Sequence, residues 1–140
     1  MRKINEGKIY RIIDANLNRA KEALRVCEDI TRFILDDKKG TGQYKTIRHK
    51  LSCIFEFPAF KKKMVIKARD IEGDVGKKST PVEFKRNNVK DIFYANSQRM
   101  KESIRVLEEF TKLIDRECAQ EFKKIRYQVY ALEKDIVKKF

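Results

Sequence analysis

Cysteine, proline, glycine and long apolar runs are all scarce in this chain of 140 residues, and each scarcity excludes a class of protein. Cys27, Cys53 and Cys118 are odd in number and form no C-x-x-C pair, which argues against a disulfide framework or a zinc site. No apolar run approaches the roughly 20 residues that cross a bilayer. The first residues show no signature of a signal peptide. We therefore expect a cytoplasmic protein whose cysteines are small, buried apolar side chains.

Charge is plentiful and unbalanced, with 34 Lys and Arg against 21 Asp and Glu and a formal net charge of +13. Such an excess attracts nucleic acids, anionic membranes and phosphorylated metabolites alike. The basic residues are spread along the chain, and no recognisable nucleic-acid motif accompanies them. Charge therefore favours an anionic partner, whereas nothing in the motifs favours a nucleic acid or a membrane.

An internal repeat is the most informative feature of the sequence. The stretch from Ile12 to Ile34 aligns with the stretch from Ile92 to Ile114 at an offset of 80, and nearly half of the 23 positions are identical. The identical positions in the first copy are Ile12, Ala15, Asn16, Arg19, Lys21, Glu22, Arg25, Val26, Glu28, Thr31 and Ile34. Ordinary amphipathic helices share apolar spacing but rarely share Asn, Arg and Glu in register. We therefore interpret the repeat as a duplication.

A fainter similarity extends the repeat into a second element. Tyr44-x-x-Ile47-Arg48-His49 is similar to Phe122-x-x-Ile125-Arg126-Tyr127, now at an offset of 78. Apolar spacings of three and four predict helices over about 10–35, 43–57, 89–115 and 117–139, with a glycine-containing break at 36–42. The prediction is an all-α fold, a four-helix bundle made of two duplicated αα-hairpins with pseudo-twofold symmetry.

One domain is expected to span residues 1–140. Within it, repeat one covers about 10–57, a longer crossover loop about 58–87, and repeat two about 88–139. Phe55, Phe57 and Phe60 cluster near the end of the second helix. They suit either the core or the interface of a homodimer.

Polar residues lie on the apolar face of the first helix in each repeat. At about 100° per residue, Asn16 shares its face with Ala20, Ala23 and Cys27, and Arg19 lies on the same arc. Glu22 follows Arg19 by one turn and is a suitable ion-pair partner. The second copy provides Asn96, Arg99 and Glu102. Two interpretations remain open, namely a polar network that fixes helix register, and a cleft between the hairpins where arginines bind phosphate.

The crossover loop is the second candidate site for functional residues. Residues 68–80 resemble a P-loop only superficially, because two residues rather than four separate Gly73 from Gly76. Asp70 and Asp74 provide carboxylates that suit Mg²⁺, while a plain polar connection fits the same composition. His49 is the only histidine, and no catalytic triad can be assembled around it.

Taken together, three motifs resemble one known family. They are the run ARDIEGDVG at residues 68–76, the two copies of A-N-x-x-R-x-x-E-x-x-R-V-x-E, and the I-R-H triplet at residues 47–49. The chain resembles the all-helical alternative hydroxymethylpyrimidine phosphate kinases of thiamine biosynthesis over about residues 10–137. In many bacteria that module is fused N-terminal to thiamine-phosphate synthase.

The resemblance implies a phosphotransferase that uses Mg²⁺ and ATP to convert hydroxymethylpyrimidine phosphate into its diphosphate. It implies substrate or phosphate contacts at Asn16, Arg19, Arg48, His49, Arg69, Asn96 and Arg99. It implies catalytic roles for Glu22, Asp74 and Glu102, and Mg²⁺ at Asp70 or Asp74. The alternative is a non-catalytic module that binds the pyrimidine phosphate or partners thiamine-phosphate synthase as a separate chain.

Overall fold

The computed structural model describes residues 5–54, 56, 57 and 62–140. In chain order its helices are α1 (Glu6–Asp29), α2 (Lys38–Ile54), α3 (Lys62–Lys67), α4 (Val89–Thr111) and α5 (Arg116–Val137). A 3-10 turn (Pro81–Phe84) lies in the crossover, and the described residues contain no strand. None of the helices in these ranges is long and apolar enough to span a membrane. The predicted all-α class is confirmed.

The four long helices form two antiparallel hairpins that pack on each other. Around the bundle the order of neighbours is α1, α2, α5 and α4, with the most extensive contact between α1 and α4. Two contacts far apart along α2 and α5 show that these helices run antiparallel. Lys50 Nζ donates to Gln128 Oε1 at 3.1 Å, and Lys139 pairs with Asp37. The short helix α3 packs on α1. The predicted bundle of two hairpins therefore describes the fold.

The core is one continuous cluster of apolar side chains between the long helices. Its largest fully buried members are Tyr44, Phe93, Phe122, Ile13, Leu24, Leu51, Met100, Ile104, Leu107, Ile125 and Ile136. They recur with the helical period seen in the sequence. Each such side chain contributes about 1.5–3 kcal/mol when fully buried, so separation of the hairpins would lose much of the fold's stabilisation.

Side-chain caps determine where the helices begin. Asn5, Asn88 and Asp115 accept backbone N–H groups at the starts of α1, α4 and α5. Asp37 does the same for α2 by accepting the Gly40 N–H at 3.0 Å. The hydrogen bond from Lys139, followed by the one from Gly40, lowers the pKa of Asp37. Because of this cap α2 begins at Lys38, and the prediction of a break through residue 42 was wrong.

A π-helical turn (Ile30–Ile34) follows α1 and has no equivalent among the described residues of the second hairpin. The Leu35 N–H donates to the Ile30 carbonyl oxygen at 3.0 Å, and Asp36 has a positive φ of 48°. The repeats align at an offset of 80 through Ile34 and at an offset of 78 from Tyr44 onward. The first hairpin therefore has two extra residues between the π turn and the body of α2, where the left-handed Asp36 lies.

The cysteines and the clustered phenylalanines differ in how far they are buried. Cys27 and Cys118 are buried as expected, and burial raises the pKa of each thiol to about 12. Cys53 is exposed, so the expectation of burial was wrong for this residue. Phe57 is partly buried against the core, whereas Phe55 and Phe60 lie outside the described residues. The homodimer stays a prediction.

Two glycines of α2 give a matched test of its packing. A Cβ on Gly40 would lie 2.7 Å from the Cδ1 of Ile136 and would collide with the Asp37 carboxylate, whereas a Cβ on Gly42 meets nothing within 4 Å. We expect Gly40→Ala to lower the free energy of unfolding by about 1–3 kcal/mol through overpacking. We expect Gly42→Ala to raise it by about 0.5–1 kcal/mol through helix propensity. Urea denaturation measures both, and equal effects would contradict this packing.

Candidate functional site

Each repeat carries an Asn, an Arg and a Glu at intervals of three residues, and we call each set a polar ladder. One ladder lies on α1 and the other on α4, and we call the contact region of these helices the α1/α4 seam. Its residues are Asn16, Arg19 and Glu22 of α1 and their copies Asn96, Arg99 and Glu102 of α4.

The register of α1 against α4 places both polar ladders near the middle of the contact between these two helices. The Sγ of Cys27 near the end of α1 lies 4.0 Å from the carbonyl oxygen of Phe93 near the start of α4. In an antiparallel pair this register sets Ala20 opposite Met100, and both side chains are fully buried. The residue before each of these is an arginine. Both arginines therefore belong to the middle of the α1/α4 seam.

Each asparagine of the seam is held by its own helix. Asn16 donates through Nδ2 to the Ile12 carbonyl oxygen, and Asn96 donates to the Ile92 carbonyl oxygen, both at 2.9 Å. Asn16 is buried, and its Oδ1 accepts a long hydrogen bond of 3.4 Å from Arg19. The buried amide N–H groups thus have partners, as such groups require.

The ion pairs expected within the ladders do not form in the part of the chain that the structure describes. Arg19 and Glu22 are both exposed, and Glu102 accepts a hydrogen bond from Gln98 at 2.9 Å rather than from Arg99. Exposed ion pairs of this spacing contribute little, so they do not hold long side chains in place. Among the described residues the guanidinium groups of Arg19 and Arg99 therefore lack a carboxylate partner and are available to an anion.

A salt bridge that sequence analysis missed anchors the crossover to α1. Arg69 donates through Nε and one terminal nitrogen to the two carboxylate oxygens of Asp14, each at 2.7 Å. Asp14 is buried, and its carboxylate raises the pKa of the Arg69 guanidinium. Arg11 also donates to the carbonyl oxygen of Asp70 at 3.0 Å. Arg69 is thus engaged in holding the loop, whereas the resemblance implied a phosphate contact.

Asp70 and Asp74 are exposed and stabilise the loop that contains them. The Oδ1 of Asp70 accepts the Gly73 N–H at 2.7 Å, and the Oδ1 of Asp74 accepts the Gly76 N–H at 2.9 Å. Within the described ranges no group of three or more His, Cys, Asp or Glu side chains could hold a metal. Sites for phosphoryl transfer bind Mg²⁺ through one or two carboxylates, with phosphate and water oxygens as further ligands. The two carboxylates fit Mg²⁺ that arrives with a phosphate substrate.

A second duplicated assembly consists of a buried glutamate held by two arginines. Glu28 pairs with Arg25 at 3.4 Å and with Arg48 of α2 at 3.2 Å. Glu108 repeats the arrangement in the second hairpin, with arginine distances of 2.9 and 3.1 Å. Sequence reasoning missed both glutamates, although their identity in the two repeats was a usable signal. Arg48 is therefore engaged with Glu28, where it ties α2 to α1.

His49 does not join the α1/α4 seam. It is exposed on α2, and its Nε2 lies 3.5 Å from the Sγ of Cys53 one turn later. The helix register thus sets Arg19 and Arg99 at nearly the same level of the seam, with Asn16 and Asn96 further apart along it. The structure keeps the acids of the crossover in a loop fastened to α1 and leaves Arg48 and His49 on α2. Fold and site together define a duplicated helical bundle with cations available for an anionic ligand.

The chain belongs to the ThiD2 family, whose model matches residues 11–135. The family association inferred from the sequence motifs is thereby confirmed.

Several curated relatives that the chain matches are longer proteins named thiamine-phosphate synthase. The relative from Nostoc punctiforme is 39% identical over 92% of this chain and 35% of its own length. The one from Synechocystis is 37% identical over 98% of this chain and 38% of its own length. The one from Rhodopirellula baltica is 38% identical over 91% of this chain and 34% of its own length. The chain thus spans about a third of these proteins, and no solved structure matches it.

The Asp14–Arg69 salt bridge makes a testable contribution to loop order. We expect Asp14→Asn to speed trypsin cleavage between residues 69 and 78 by about tenfold, because a charge-assisted bidentate contact is lost and the loop opens more often. Mass spectrometry of the fragments measures the rate. Asp29→Asn is the control, since Asp29 is an exposed acid on the same helix. Equal cleavage of Asp14→Asn and wild type would show that the salt bridge does not order the loop.

Proposed function

We propose that this protein transfers the γ-phosphoryl group of ATP to hydroxymethylpyrimidine phosphate and releases ADP and the pyrimidine diphosphate. The observation that carries the proposal is the pair of duplicated arginines, Arg19 and Arg99, at the middle of the α1/α4 seam without carboxylate partners among the described residues. Family membership and the names of the relatives support a role in thiamine biosynthesis.

The proposed reaction needs neutralisation of charge more than it needs a base. The second pKa of a phosphate monoester is about 6, so the acceptor oxygen is already largely deprotonated at neutral pH. That oxygen forms the new P–O bond as the bond from the γ-phosphorus to the ADP oxygen breaks. Bringing two anions together is the main barrier, and cationic side chains lower it. Glu22 and Glu102 are then not required as proton acceptors, and neither forms an ion pair with its arginine among the described residues.

The chain's own residues divide the remaining tasks. Arg19 and Arg99 would bind phosphate oxygens through paired N–H groups. Asn16 and Asn96 would present their amide oxygens beside these arginines. Mg²⁺, when bound at Asp70 or Asp74, would supply further positive charge to the phosphates.

A second candidate function is a non-catalytic module that binds the pyrimidine phosphate or docks on a thiamine-phosphate synthase. The observation in its favour is that the relatives contain the matching stretch inside a longer protein named as the synthase. The two proposals differ in one measurable quantity, the consumption of ATP.

Incubation of the purified chain with Mg-ATP and hydroxymethylpyrimidine phosphate tests the kinase directly. We expect ADP and pyrimidine diphosphate to form in equal amounts, and chelation of Mg²⁺ by EDTA to stop both. Chromatography of the nucleotides and pyrimidines measures the reaction. If neither product forms while the pyrimidine phosphate raises the Tm, the kinase proposal fails and the binding module remains.

Substitutions at the seam test which residues carry the reaction. We expect Arg19→Ala and Arg99→Ala each to lower kcat/KM by at least about 100-fold, as loss of a group that stabilises transition-state charge does elsewhere. Both side chains are exposed, so the Tm should change little. Arg32→Ala is the control, because Arg32 is an exposed arginine outside the seam whose guanidinium lies 4.7 Å from the Phe33 ring centroid. Full turnover by the Arg19 variant would remove that residue from the site.

A further inference from the structure

The second hairpin contains a cationic cavity that the proposed reaction does not use. We call it the α4/α5 groove. It has a volume of about 610 Å³, and its charged lining residues are Arg105, Glu108, Lys112, Arg116, Lys123 and Arg126. Five cations therefore surround a single carboxylate. The volume lies within the range of small-ligand sites.

The cations of the groove differ in how far they are already neutralised. Arg105 and Arg126 both bind Glu108, and the exposed Glu109 pairs with Arg105 at 3.1 Å and with Lys112 at 2.8 Å.

Two cations of the groove remain available. Arg116 and Lys123 make no ion pair with any carboxylate in the described residues, and both are exposed. They are seven residues apart on α5, which places them on one face of the helix about 10 Å apart. Gln120 lies between them and also lines the cavity. Long side chains at this spacing can converge on one anionic group.

The equivalent cavity of the first hairpin has a different balance of charge. Lys38 and Lys45 occupy the positions equivalent to Arg116 and Lys123 at the offset of 78. Their cavity of about 400 Å³, however, is also lined by Asp36 and Asp37. Asp36 belongs to the two-residue expansion of the first turn. The first cavity therefore has three cations, of which Arg32 is the third, against two carboxylates, whereas the α4/α5 groove has five cations against one.

An aromatic ring also borders the groove. Tyr127 lines the cavity with 57% of its surface exposed, and the Arg126 guanidinium lies 5.1 Å from the ring centroid. The other face of the ring can stack on a planar base, which is a common mode of nucleobase binding. The first repeat has His49 at this position.

We propose that the α4/α5 groove is a binding site for a nucleoside di- or triphosphate, separate from the α1/α4 seam. Arg116 and Lys123 bind the polyphosphate group, and Tyr127 contacts the base. The site requires only equilibrium binding, so it stands independently of the kinase reaction.

Calorimetric titration of ADP at constant ionic strength tests the site, and Arg19→Ala/Arg99→Ala serves as the parent protein so that ADP bound at the seam does not contribute. We expect the double variant Arg116→Ala/Lys123→Ala to raise the Kd for ADP at least about tenfold, since two charge-assisted hydrogen bonds are lost. The matched control is Lys38→Ala/Lys45→Ala, which removes the same charge at the equivalent positions and should leave the Kd within about twofold. If both double variants weakened ADP binding equally, the binding would reflect general electrostatic attraction, and the proposal would be overturned.

Pyrophosphate and adenosine, used as further ligands, separate the contribution of the phosphates to the affinity from that of the base. Inorganic pyrophosphate should bind and should be weakened by the same double variant, because the cations recognise the phosphates. ADP should bind more tightly than pyrophosphate, and Tyr127→Ala should remove that advantage. Binding of adenosine as tightly as ADP, or no binding of ADP and pyrophosphate to the wild type, would overturn the site. A chain that binds ADP in this pattern without phosphorylating the pyrimidine would refute only the kinase proposal.

Discussion

The packing of α1 against α4 is the contact on which the rest of the structure depends. Each hairpin alone would leave one apolar face in water, and the most extensive helix contact of the bundle covers both faces at once. Ala20 and Met100 are fully buried where the helices are set opposite each other. The same register sets Arg19 and Arg99 at nearly the same level along this contact. The α1/α4 seam is therefore a consequence of apolar burial, since neither ladder forms a paired site within its own hairpin.

Ion pairs decide which of the many cations are available for ligands. Glu28 and Glu108 are almost fully buried, and an unpaired carboxylate at either place would be costly. Each engages two arginines, and Asp14 engages Arg69 in the crossover. Arg48 and Arg126 thereby join helix to helix and Arg69 joins loop to helix, whereas Arg25 and Arg105 pair within their own helices. Arg19 and Arg99 of the seam and Arg116 and Lys123 of α5 are among the exposed cations that have no carboxylate partner in the described residues.

The two halves of the duplication have diverged where the hairpins turn. The first half has two more residues after its π turn, and Asp36 and Asp37 both border the cavity there. The second half turns directly from Thr111 through the cap Asp115 into α5, and its groove keeps a cationic lining. A pseudo-symmetric scaffold can thus present two chemically different surfaces. The difference arises from local chain length, because added turn residues bring their own charge.

The sequence by itself determined the all-α class, the two hairpins and the family, because apolar period and repeated polar residues are local properties of the chain. The sequence also predicted that Asn16, Arg19 and their copies Asn96 and Arg99 are polar residues on the apolar faces of α1 and α4. Only the tertiary structure decided which side chains are paired. Asp14 meets Arg69 across 55 positions of sequence, and Glu28 meets Arg48 from another helix. Such pairings depend on helix register and on burial, which no local pattern specifies, and so the division between structural and available arginines became visible only in the folded chain.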